Sequence, residues 1–147
     1  MDEEDTASVV EVLARLAFVM TARLEERASE AEVSLQQLRL LGILRDRRPT
    51  INELTVHLGL DKSSVSGLVI RAERRGLVSR TQHEQDGRAV RVRLEPAGRA
   101  IVDAADALFA ADVQRIFSTL SAAERARWVA LSQRVVVAEA ADRGVSV

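Results

Sequence analysis

The segment DKSSVSGLVIRAER, residues 61–74, carries its apolar residues at helical spacing. If Val65, Leu68, Val69 and Ala72 face a core, then Ser63, Ser64, Ser66, Gly67, Arg71 and Arg74 face outward, with Lys62 in the first turn. Hydroxyls and guanidinium groups on one helix face suit the phosphates and base edges of duplex DNA. Ser63 and Ser64 sit where free N–H groups and the helix dipole favour phosphate. Ser66 and Arg71 are the candidates for base edges. Arginine can reach the O6 and N7 of guanine with two hydrogen bonds, worth about 1–3 kcal/mol of discrimination. The competing reading is a solvated helix face.

The adjoining segment favours DNA contact over a merely solvated face. VSRTQHEQDGRAVRVRL, residues 78–94, reads as two short strands around a tight Asp86-Gly87 turn. Arg88 at the tip can reach toward a minor groove. Asp86, two residues earlier, can hold its guanidinium and preset its direction; the alternative is an ordinary turn aspartate beside a surface arginine. Arg80, Arg91 and Arg93 flank the same ribbon, as phosphate contacts or as partners of acids on the first helix. The DNA-binding set is thus Lys62, Ser63, Ser64, Ser66, Gly67, Arg71, Arg74, Asp86, Arg88 and Arg91.

The elements that must position these groups are legible from caps and periodicity. A first helix is expected over 6–31, started by a Ser8/Glu11 capping box and striped by Val9, Val12, Leu13, Leu16, Val19, Met20 and Leu24. A second starts at Ser34 with Gln37, buries Leu38, Leu41 and Leu44, and ends near Arg47 before Pro49. A third starts at Thr50 with Glu53, buries Ile51, Leu54 and Leu58, and stops at Gly59. Asp61 caps the fourth, and Gly76 closes it. Strands are expected over 77–81 and 90–94, the second with Val90, Val92 and Leu94 inward. Pro96 opens a fifth helix to about Thr119 that buries Ile101, Leu108, Phe109, Ile116 and Phe117. Ser121 with Glu124 starts a sixth, carrying Trp128, Leu131 and Val135.

Composition narrows the classes. The chain has 147 residues and no cysteine, which excludes disulfides and thiolate metal sites. With only His57 and His83, no metal site and no cofactor are expected. The net charge of −1 divides unevenly, as −6 over residues 1–33, +5 over 34–95 and zero over 96–147. Positive charge is concentrated where phosphate would be met. No apolar run approaches the roughly 20 residues of a membrane span. The acidic start MDEEDTAS lacks the regions of a secretory signal, so a cytoplasmic protein is expected.

Catalysis finds little support. Glu25-Glu26 and the acids of residues 2–5 are charge runs on exposed positions, and no Gly-rich phosphate loop or nucleophile elbow is present. His57 reads as a surface or helix-packing residue, His83 as solvated, Met20 as core, and Trp128 as core or dimer interface.

Nearly the whole chain resembles the MarR family of transcriptional regulators. The residues that carry the resemblance are Leu54, Leu58 and Leu60, then DKSSVSGLVIRAERRGLVSR, then Asp86 and Arg88, then Leu94, Ala97 and Gly98. Glu95 stands where the family usually has threonine, and Gly67 where a larger polar residue is common. The resemblance implies a regulator whose small, often phenolic or anionic effector binds between the dimer helices and the winged lobe; no motif position identifies that pocket.

The expected fold is mainly α with a small β-wing, a winged helix-turn-helix dimerising through its N- and C-terminal helices. It is read as a single domain, with residues 34–95 as the DNA-binding lobe and 1–33 plus 96–147 as the dimerisation lobe. The expected function is a repressor of a pseudo-palindromic operator. The alternative is a winged-helix protein–protein module without DNA binding, against which the basic fourth helix argues.

Overall fold

The computed structural model describes residues 2–82 and 90–142. Helix α1 spans Glu3–Glu30, α2 Leu35–Leu44, α3 Ile51–Leu58 and α4 Lys62–Arg74. Strands β1 (Val78–Gln82) and β2 (Val90–Leu94) follow, then α5 (Pro96–Ile116), a 3-10 turn over Phe117–Thr119 and α6 (Ala122–Asp142). The mainly helical chain with its small antiparallel sheet is the expected fold class.

Local chemistry fixes most boundaries. At α2, the Gln37 N–H donates to Ser34 Oγ (3.1 Å) and the Ser34 N–H donates back to Gln37 Oε1 (3.2 Å). Thr50 and Glu53 make the same reciprocal pair at α3, and Ser121 with Glu124 do so before α6. Gly59 and Gly76 end α3 and α4 at φ of 65° and 69°, a region that a Cβ disfavours. Helix α1 differs from expectation. It starts at Glu3 because the Asp2 carboxylate accepts from the Asp5 N–H (2.8 Å) and three acids fill the first turn. Glu11 lies inside the helix and pairs with Arg15 instead.

The core lies where α2, α3, α4, β2 and α5 meet. Leu40, Leu41, Leu54, Val65, Val69, Val92 and Val102 are fully buried there. Leu38, Leu44, Leu58, Leu68 and Ala72 are buried as expected. Leu40 is a core residue that periodicity does not single out. It lies one turn before Leu44, at the edge of the Leu38–Leu41–Leu44 row, so its burial widens the covered face of α2.

The ribbon pairs Val78 with Leu94, Arg80 with Val92 and Gln82 with Val90. A third edge is present. Thr50 bridges to Arg91, and the Val92 N–H donates to the Pro49 carbonyl (2.9 Å). The sheet is thereby sewn to the loop between α2 and α3.

The long helices correct two expectations. Helix α5 buries Gly98, Val102 and Ala105 rather than the larger apolar residues expected; Leu108 is exposed, and Ile101, Phe109, Ile116 and Phe117 are half-buried. Val102 and Ala105 share a hollow with residues of α1 and α2, Gly98 packs on Leu77 and Leu94, and the bulky residues are left outside the core. Helix α6 buries nothing, although Trp128 meets Phe117 with ring centroids 5.7 Å apart. Of the α1 stripe, Val9, Val12, Leu13 and Val19 are exposed, while Leu16, Met20 and Leu24 are half-buried. Met20 is thus not a core residue of the single chain.

Candidate nucleic-acid interface

Helix α4 is anchored by Val65, Leu68, Val69 and Ala72, all buried. That anchoring turns Lys62, Ser63, Ser64, Arg71 and Arg74 to the surface, with Ser66 and Gly67 half-exposed beside them. The helix face foreseen from spacing exists as a continuous strip.

Its N-terminal turn holds a carboxylate. Asp61 Oδ1 accepts from the Ser63 hydroxyl (2.6 Å) and the Ser64 N–H (2.9 Å), and Oδ2 accepts from the Ser64 hydroxyl (2.6 Å). Both hydroxyl protons expected to meet phosphate are therefore engaged within the chain. The Ser63 hydroxyl, then the Ser64 hydroxyl and N–H, hold the Asp61 carboxyl far below the usual aspartate range. A carboxyl lowered on folding adds stability that is complete above the unfolded pKa and fades as pH falls toward the folded one. The melting temperature of the parent minus that of Asp61→Asn should therefore be largest near neutrality and shrink below about pH 4. A difference that stays constant down to pH 3 would contradict this account of the cap.

Arg71 lies back along α4, its Nη1 only 3.2 Å from where a Cβ on Gly67 would stand. Helical side chains lean toward the N-terminus, so residue 71 covers position 67. The departure at Gly67 thus has a local role: it leaves room for the guanidinium. Among the described residues, Lys62, Arg71 and Arg74 have no hydrogen-bond or ion-pair partner.

The neighbouring arginines are held. Arg80 places Nε and Nη2 on Glu73 Oε2 (2.9 and 2.7 Å), tying the ribbon to α4 and lowering the Glu73 carboxyl. Arg91, half-buried, donates from Nη1 to the Arg48 carbonyl (2.7 Å). Arg93 donates from Nη2 to Glu95 Oε1 (2.8 Å). The acids of α1, offered as partners for these three, are not their partners. Arg91 serves the base of the sheet, a role that the strand pattern could not reveal because its acceptor lies 43 residues away. Arg75, which sequence reasoning passed over, donates to the Glu32 carbonyl (2.7 Å), and Glu32 itself has a φ of 54°. Asp86, Arg88 and His83 lie outside the described residues. His57 is half-buried on α3.

Three helices, a recognition-type fourth segment and a two-stranded ribbon returning beside them define a winged helix-turn-helix. Residues 32–89 match the model of the MarR family. The chain is similar to that family over those residues, about two-fifths of its length, and its fold is the one that solved MarR-family proteins share. A MarR family protein from Bacillus stearothermophilus superposes with a TM-score of 0.85 at 24% identity, over 95% of this chain and 98% of that one. E. coli MarR in its apo form gives 0.70 at 27% identity, over 84% and 95% of the two chains. A mutant of S. aureus MepR bound to an oligodeoxyribonucleotide gives 0.63 at 22%, over 88% and 96%. No curated protein matches the chain in sequence. Among the described residues, no helix is long and apolar enough to cross a membrane.

Proposed function

We propose that this protein binds a pseudo-palindromic operator as a two-fold homodimer and represses transcription until a small ligand binds. The observation that carries the reading is the sorting of the cations. Lys62, Arg71 and Arg74 stand unpartnered among the described residues on the exposed strip of α4, while Arg75, Arg80, Arg91 and Arg93 around them are tied to the fold. Free guanidinium groups beside held ones are what a phosphate- and base-reading surface requires. The uncovered apolar residues of α1, α5 and α6 support a dimer through residues 1–33 and 96–147, with 34–95 on DNA. The MepR mutant of similar fold is bound to an oligodeoxyribonucleotide, which supports DNA as the partner. A two-fold dimer places its half-sites roughly 10 bp apart. The ligand shifts the population away from the spacing that fits them. The chain works in the cytoplasm and is not an enzyme.

The test is a shift assay against duplex DNA from the region upstream of the chain's own gene, at two salt concentrations, with unrelated duplex as competitor. Salt-sensitive binding that survives competition, at two chains per site, is the expected result. Absence of any binding would transfer the function to a protein partner. In the same assay, Arg88→Ala should weaken binding to every sequence and reduce the salt slope by about one. An unchanged slope would remove Arg88 from the interface.

A further inference from the structure

A cleft of about 530 Å³ opens where the loop after α2, the end of β2 and the start of α5 meet. Five arginines line it: Arg45, Arg47, Arg48, Arg93 and Arg99. Only two carboxylates, Asp46 and Glu95, join them in the wall. Arg93 is neutralised by Glu95 (2.8 Å). Arg45 pairs with Asp106, which raises its pKa, and reaches Asp46 at 3.5 Å. Arg99 spends one N–H on the Arg45 carbonyl (2.8 Å), which forms no ion pair and leaves its charge unbalanced. Arg48 has no side-chain partner among the described residues and is exposed. Glu95 makes no side-chain cap on α5, so the positive end of that helix dipole also adjoins the cleft.

Such an excess of positive charge, converging from three separate elements, fits an anion with several oxygens and more than one charge. A monocarboxylate fills one guanidinium fork, whereas a phosphate group carries close to two charges and three acceptor oxygens. The lining contains no aromatic side chain to stack on a ring, and its apolar part is limited to Leu44, Leu94 and Pro96. We propose that this cleft binds a small phosphorylated molecule through Arg48 and Arg99. None of the lining residues belongs to α3 or α4, so this anion site is distinct from the α4 strip, although it lies largely within the 34–95 lobe. The cleft touches both the ribbon and α5, so its occupant bears on how the ribbon is held against that helix. This regulatory consequence rests on the DNA-binding reading; the binding itself does not.

The test uses the full chain without DNA, titrated with inorganic pyrophosphate by calorimetry at constant ionic strength. One saturable site per chain is expected. Arg48→Ala and Arg99→Ala should each weaken it about tenfold or more, the loss expected for one charge-assisted contact. Arg134→Ala, on exposed α6, should leave it unchanged. The Arg48 side chain holds no other described residue in place, so its variant separates lost binding from lost folding. Non-saturable heats, or equal affinity in the parent and Arg48→Ala, would overturn the proposal. A second arm measures duplex binding with no pyrophosphate present. Unchanged affinity in Arg48→Ala is expected, and a drop matching the pyrophosphate loss would assign the cleft to the DNA backbone and overturn the small-molecule site.

Discussion

Gly98→Ala should destabilise the fold by about 3 kcal/mol, the upper end of the usual overpacking range. A Cβ at this position would stand 2.2 Å from the Leu77 carbonyl oxygen, 2.8 Å from Leu94 Cδ1 and 3.1 Å from the Leu77 carbonyl carbon. Two of these three atoms are backbone and cannot swing aside. The same carbonyl accepts from the Glu95 N–H (3.0 Å), so retreat of Leu77 breaks the bond that joins the ribbon to α5. Helix propensity alone would favour alanine by about 1 kcal/mol, and the clash must exceed that. Gly42→Ala in α2 provides the contrast, because nothing lies within 4 Å of its Cβ position. It should stabilise by roughly 0.5–1 kcal/mol. Urea midpoints for the two variants should therefore move in opposite directions. A Gly98→Ala midpoint at or above that of the parent would disprove the close packing of α5 on Leu77.

Arg71→Ala should relax base preference by about 1–3 kcal/mol at a single position of each half-site, leaving the rest of the operator profile intact. The expectation comes from three features of α4: Arg71 is exposed, unpartnered among the described residues, and on the same strip as Lys62 and Arg74. Gly67→Ala sharpens the experiment. Its Cβ would meet Arg71 Nη1 at 3.2 Å, so the guanidinium must shift by a few tenths of an ångström without losing its charge. The alanine at 67 should thus alter preference at the same base pair by a smaller factor. If Arg71→Ala weakens all sequences equally, its guanidinium touches only phosphate.

How much of the fold and the site is legible in the chain depends on the range of the interaction. The caps at Ser34, Thr50, Asp61 and Ser121 are readable because each cap and its partner lie three residues apart. The buried row of α4 is readable because a helix repeats its core face every three or four residues. What the sequence hides is long-range. Arg91 binds a carbonyl 43 residues away, Arg75 does likewise, and Arg99 reaches back 54 residues. Arginines of identical appearance thus divide into free and held only once the chain is folded. The bulky residues of α5 mislead for a related reason: periodicity identifies an apolar face but not the surface that covers it. Helix α1 begins earlier than its Ser8 box because two capping signals compete, and Asp2 with its acidic first turn prevails.

The bareness of α6 has a thermodynamic consequence. A helix of 21 residues that buries no side chain against its own chain draws little folding free energy from it. In the proposed homodimer, that free energy comes from association and so depends on mass action. The melting temperature should then climb with protein concentration, and dilution alone should loosen the C-terminal helix before the winged unit.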